Sequence, residues 1–117
     1  RYSADRVDIF VGDIFDLSAS VLGPVDAIYD RAALVALPEE MRVRYTEHMM
    51  EITDRAAQLL LTFVYDQSVR PGPPFSVDID EVQRAYGAYT ISLLDTVEVD
   101  GGLKGEVAAD KMVWSLT

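Results

Sequence analysis

The sequence predicts an α/β domain, a mostly parallel sheet closed by an antiparallel hairpin. Three observations point there. A short apolar run at 25–29 follows the turn signal Gly23-Pro24, as a buried strand does. An amphipathic helical pattern over 38–52 separates it from a second apolar stretch at 57–64, the spacing of a strand–helix–strand crossover. Two alternating segments, 89–99 and 111–116, end the chain around the turn Asp100-Gly101-Gly102-Leu103-Lys104-Gly105. The expected order is β, β, α, β, α, β, β.

Each element has a local reason. Val7, Ile9 and Val11 alternate with Asp8 and Phe10, a period-two strand that Gly12-Asp13 breaks. Ser18 then opens a polar segment long enough for one helical turn. Pro38 suits the first position of a helix, and Glu39 and Glu40 complement its dipole. Met41, Tyr45, His48, Met49 and Ile52 recur at three- and four-residue spacing, placing Arg42, Arg44, Glu47 and Glu51 off the apolar stripe. His48, beside that stripe, reads as a packed helix residue rather than a base. The run at 57–64 has no polar alternation, which predicts a central strand covered on both faces. Pro71-Gly72-Pro73-Pro74-Phe75-Ser76 is a stiff loop, suited either to wall a pocket or to connect elements. Asp78 and Glu81 resemble a capping box for a short helix through Val82 and Ala85 to Tyr86, with Gly87 at the position after its end.

Composition narrows the function classes. The 117 residues hold no cysteine and one histidine, which removes disulfides and thiolate or histidine-rich metal sites. No metal is expected, and the absence of cysteine fits a cytoplasmic protein. A formal net charge of −10 argues against nucleic acid and anionic membranes as partners. The longest apolar runs are too short to span a bilayer, and no signal peptide opens the chain.

The chemistry-bearing stretch is Tyr29-Asp30-Arg31. In an open α/β sheet, ligands bind at the carboxyl ends of strands, and a strand over 27–29 puts Asp30 and Arg31 there. Spacing alone leaves two readings, an ion pair closing a loop and a ligand site. Tyr65-Asp66-Gln67 forms a second polar cluster at the end of the next strand.

Specific motifs add to this. Gly12-Asp13-Ile14-Phe15-Asp16-Leu17, Tyr29-Asp30-Arg31-Ala32-Ala33-Leu34-Val35-Ala36-Leu37-Pro38, Tyr65-Asp66 and Gly72-Pro73-Pro74-Phe75-Ser76-Val77 follow one another in this order. Together they resemble the bacterial thiopurine S-methyltransferase family over essentially the whole chain. The resemblance implies a class I S-adenosylmethionine-dependent methyltransferase sheet of Rossmann-like form. It implies methyl transfer to a small thiol, a thiopurine, or a selenium or tellurium acceptor, as in metalloid detoxification. Carried onto this sequence, it makes Arg31 a catalytic and cofactor-pocket residue, and Asp13, Ile14 and Phe15 cofactor-binding residues near the adenine.

The resemblance also sets expectations about extent. The chain reads as the C-terminal portion of a single methyltransferase domain, a fragment whose sheet lacks the first two strands, with residues 6–14 orphaned from it. Family members carry an arginine near Gly101 and Gly102, where this sequence has only Lys104 close by. Asp30 is expected to orient Arg31 rather than act as a base. Two alternatives stay open. One is a truncated, non-catalytic α/β remnant, or an oligomerising module that pairs through an exposed sheet edge without cofactor. The other is a methyltransferase with an oxygen or nitrogen acceptor.

Overall fold

The computed structural model describes residues 1–103, 105 and 107–117. Its strands are β1 (Tyr2–Ala4), β2 (Val7–Ile9), β3 (Ala27–Asp30), β4 (Ala57–Tyr65), β5 (Ile91–Glu98) and β6 (Ala109–Leu116). Its helices are α1 (Ala19–Leu22), α2 (Glu39–Ile52) and α3 (Ile79–Ala85), with 3-10 turns at Ile14–Asp16 and Leu34–Ala36. Among the described residues no helix is long and apolar enough to cross a membrane.

The main sheet has the order β3-β4-β6-β5. β3 and β4 are parallel, joined by α2 as the crossover pattern predicts. The final hairpin is antiparallel as expected, but its second strand sits inside the sheet. β6 pairs antiparallel with β4 on one side and with β5 on the other. β3, β4 and β5 therefore share one direction and β6 alone opposes them. β1 and β2 form a separate two-stranded sheet, so Val7–Ile9 stays off the main sheet. That hairpin is exposed throughout, and Arg1 and Ser3 both donate to the Asp8 carboxylate across it.

The main core lies on one face of the sheet, and a small second cluster of Tyr65, Leu103 and Ala109 is buried apart from it. Leu60, Trp114 and Leu116 point toward Tyr45 of α2, Val82 of α3, and Tyr86. Trp114 Nε1–H donates to Thr62 Oγ1 at 2.9 Å, so the indole is satisfied in the dry interior. The opposite face departs from the sequence reading. Tyr29 is 62% exposed and Leu59 40%, and Leu61, Phe63 and Val113 are only half-buried. A continuous apolar run permits burial on both faces, but covering the second needs a further layer that the described residues do not supply.

Helix α2 also differs from its pattern. Pro38 is the residue before the first turn rather than within it, and its carbonyl accepts from Arg42 N at 2.9 Å. Arg42, placed off the stripe by periodicity, is 5% exposed, whereas Met41, placed on it, is 37% exposed. The cause is a partner 39 residues away. Arg42 donates through Nε and Nη2 to both oxygens of Glu81, at 2.6 and 2.9 Å, and through Nη1 to the Leu37 carbonyl at 2.8 Å. A guanidinium so satisfied is tolerated at a helix–helix contact. Half of the predicted capping box forms: Asp78 Oδ1 accepts from Glu81 N at 2.8 Å, but the Glu81 side chain goes to Arg42 instead of back to the cap. Gly87 follows the end of α3 without a positive φ, because Tyr89 N closes the turn onto the Tyr86 carbonyl at 2.9 Å.

Removing Arg42 strands Glu81 at the α2–α3 contact. Arg42→Ala is expected to lower unfolding free energy by about 3 kcal/mol. Glu81→Gln, which keeps one acceptor for the guanidinium, is expected to cost about half as much. Urea unfolding midpoints measure both, and an unchanged Arg42→Ala midpoint would show the pair to be an ornament of the surface.

Candidate functional site

Asp30 ends β3 and Arg31 opens the bend that follows it, and their side chains leave in opposite directions. Asp30 points into the core and is 3% exposed. Its Oδ2 accepts from the Tyr45 hydroxyl at 2.8 Å and its Oδ1 from Leu34 N at 3.2 Å. Arg31 is exposed on the open side. The ion pairs among the described residues are Arg1–Asp8 and Arg42–Glu81, so the expected orientation of Arg31 by an ion pair with Asp30 is not found. The chain turns at Ala32, whose φ is 74°. For a residue with a Cβ, that left-handed conformation costs about 1–2 kcal/mol, met here by the fixed ends of the turn.

Arg31 lines an open cleft of ≈ 660 Å³ at the carboxyl ends of β3 and β4. Tyr29, Leu61, Phe63 and Val97 form its apolar walls. Lys111, Glu98 and Asp100 bring further charge. Tyr29 belongs to the stretch that the sequence singles out, whereas Lys111 as a cleft residue was missed. The signal existed: Met112, Trp114 and Leu116 face the core, so Lys111, Val113 and Ser115 must face the other way. Lys104 lies outside the described residues. Among its described neighbours, Gly101 and Gly102 have φ of 73° and 69°, and a Cβ on Gly102 would stand 2.3 Å from the Val107 carbonyl oxygen.

The second group of predicted site residues forms a compact turn. Asp13 precedes the 3-10 turn and its Oδ1 accepts from Phe15 N at 2.9 Å. His48 Nε2–H donates to the Ile14 carbonyl at 2.7 Å, tying the turn to α2. His48 is thus half-buried and structural, as its place beside the stripe suggested. The Phe15 ring packs under the Arg44 guanidinium, 4.3 Å from its centroid, and 5.6 Å from the His48 ring. Asp13 and Ile14 line a shallow groove with Phe10, Val11 and Leu17; Phe15 is turned away from it toward α2. This groove and the Arg31 cleft have no lining residue in common.

The proline-rich loop fastens rather than walls the cleft. Phe75 N donates to the Val35 carbonyl at 2.6 Å, and the Tyr65 hydroxyl to the Pro74 carbonyl at 2.6 Å. Asp66 of the second polar cluster accepts from Ser68 N and Ser68 Oγ in a local turn.

A three-on-one α/β sheet with a cation at the carboxyl end of a parallel strand defines a class, the open-sheet domains that bind ligands at strand ends. The family model for thiopurine S-methyltransferase matches residues 1–113, and the chain belongs to that family. It is 55% identical to the thiopurine S-methyltransferase of Xanthobacter autotrophicus over 117 residues, 99% of this chain and 55% of that protein. It is 53% identical to the one from Teredinibacter turnerae, again over 99% of this chain and 55% of the relative. The one from Gluconobacter oxydans is 49% identical over 97% of this chain and 52% of the relative. The chain thus spans about half the length of the curated relatives it matches.

The methyl donor that such a family implies has an adenine at one end, and the Asp13–Ile14 groove suits it chemically. Apolar side chains offer a slot, and Asp13 has one carboxylate oxygen, Oδ2, not used in holding the turn.

Below the cleft, two phenols are held neutral. Burial first, then the Asp30 charge and hydrogen bond, push Tyr45 well above its ordinary pKa of 10.0. Burial and then the charges of Asp30 and Tyr45 do the same to Tyr86. In the unfolded chain both ionise at the ordinary value, so above it the folded state binds more protons. Their stabilising effect is whole below pH 10.0 and declines as pH rises beyond it. In an alkaline titration followed by phenolate absorbance, Tyr45 and Tyr86 should ionise only together with loss of tertiary structure. Complete titration of all six tyrosines in an intact fold would contradict this.

Proposed function

We propose that the protein carries out S-adenosylmethionine-dependent methyl transfer to a small thiol, thiopurine, or selenium or tellurium acceptor. The observation that carries the reading is Arg31. Its guanidinium is exposed in a cleft at a strand's carboxyl end that Tyr29, Leu61 and Phe63 line beside Lys111, Glu98 and Asp100, with no ion pair or hydrogen bond among the described residues. Family membership over residues 1–113 supports it.

Bound in the site, the cofactor supplies an electrophilic methyl group on a sulfonium centre. Asp13 and Ile14 would hold the adenine, with Asp13 Oδ2 accepting from the exocyclic amine and Phe15 anchoring the turn on α2. Arg31 would favour the anionic form of the acceptor, since a neighbouring cation lowers a thiol's pKa. The thiol proton then goes to bulk water, and no side chain has to remove it. Asp30 is unsuited to that task, being buried on the other face of the strand with both carboxylate oxygens engaged. Tyr29, Leu61 and Phe63 would shield the thiolate from water and align it.

The test is a methylation assay on the protein at its natural length, with S-adenosylmethionine and 6-mercaptopurine, selenite or a phenol as acceptors. The thiopurine and selenite should react and the phenol should not. Arg31→Ala should lower kcat/KM for 6-mercaptopurine by about a hundredfold to a thousandfold, the usual cost of removing one charge-stabilising group. If Arg31→Ala leaves both turnover and cofactor affinity unchanged, the role is wrong. If the wild type gives no heat of binding with S-adenosylmethionine, the non-catalytic remnant is the better reading.

A further inference from the structure

The buried Asp30 carboxylate is an anion with no cation beside it among the described residues. Its hydrogen-bond partners among the described residues are neutral donors, the Tyr45 hydroxyl at 2.8 Å and the Leu34 amide at 3.2 Å. It sits one residue before Arg31, at the end of an edge strand only four residues long. The Leu34 hydrogen bond spans the turn of Arg31, Ala32 and Ala33, fixing the far end of that turn to the strand. The Tyr45 hydrogen bond fixes the same carboxylate to α2. Between these anchors Ala32 takes a φ of 74°, a conformation that the turn's own residues do not favour. Beyond the turn, Leu34 and Val35 are buried, and Phe75 N donates to the Val35 carbonyl.

We propose that Tyr45 and Asp30 form a buried positioning dyad that sets the direction in which Arg31 enters the cleft. The inference rests on the reading of Arg31 given above. Neither dyad residue lines the cleft, so both act through the backbone. Arg31 opens the bend whose two ends the Asp30 carboxylate holds, so fixing that carboxylate on the core side restricts the direction in which the Arg31 Cα–Cβ bond points to the open side. Loss of the Tyr45 hydroxyl leaves Oδ2 without its donor in a dry interior. The carboxylate then rotates or draws in water, and the Leu34 anchor loosens with it.

A double-mutant cycle on the protein at its natural length tests this, with S-adenosylmethionine and 6-mercaptopurine as substrates. Tyr45→Phe should lower kcat/KM for 6-mercaptopurine about tenfold, as a small misplacement of an aligned group does. In the Arg31→Ala background the same change should have almost no effect, because no guanidinium remains to be positioned. The Leu34 amide should exchange hydrogen faster in Tyr45→Phe, a readout independent of activity. Should Tyr45→Phe fold poorly, Asp30→Asn goes through the same cycle: it keeps Oδ1 for Leu34 and presents an amide to Tyr45. Equal losses in both backgrounds, or no loss beside wild-type Arg31, overturn the dyad while leaving the Arg31 role standing. A silent Arg31→Ala overturns the role of Arg31 itself, and the dyad then has nothing to position.

Discussion

The hydrogen bond from Tyr45 to Asp30 joins the three parts on which the cleft depends. β3 is an edge strand of four residues, paired only with β4. Such a strand has few ladder bonds and needs another tether. Asp30 supplies it, holding the strand end to α2 through Tyr45 and to the following turn through Leu34. Among the described residues the carboxylate is met by hydrogen-bond donors rather than by a counter-ion. That arrangement is directional: an ion pair tolerates sliding, whereas two lone pairs aimed at two donors do not.

The sheet order has a consequence for how the chain reaches its core. β6 lies between β4 and β5, and its inward residues Met112, Trp114 and Leu116 fill the centre. Leu116 pairs with Gln58 and with Ile91, so residues far apart in sequence meet there. The last strand is thus needed to close the core that α2 and α3 cover. Pairings of that range raise the contact order, which slows folding relative to a chain built from local contacts.

Much of this was legible in the sequence, and what was not has identifiable physical causes. Ala27–Asp30, Glu39–Ile52 and Ala57–Tyr65 fall close to their patterns because periodicity and punctuation are local signals. Burial of Arg42 was illegible because Glu81 is remote in sequence and only the fold brings it near. The partners of Asp30 were misjudged for a related reason. Adjacent opposite charges suggest a pair, yet Asp30 ends the strand facing the core while the bend after it carries Arg31 to the open side, and Asp30 meets Tyr45 instead. The short strand β1 escaped notice because Tyr2–Ala4 has no apolar face; it forms only by pairing with β2. Lys111 was a recoverable miss, implied by the inward alternation of its own strand. The Arg31 and Asp13–Phe15 motifs were readable as motifs. That Arg31 and Asp13–Ile14 line separate grooves was not, since sequence order carries no distance.

The uncovered face of the sheet gives the acidity of the chain a second meaning. Tyr29 and Leu59 present apolar surface beside the unpaired edge of β3, and Val97 does so on β5 at the opposite edge, the features by which sheets of neighbouring molecules adhere. A net charge of −10 on 117 residues works against that adhesion by mutual repulsion. The two forces have different ranges and respond differently to salt. Repulsion between exposed charges fades beyond about 10 Å at 0.1 M ionic strength, while apolar attraction does not weaken. Colloidal stability of this chain is therefore a property of its solvent as much as of its fold.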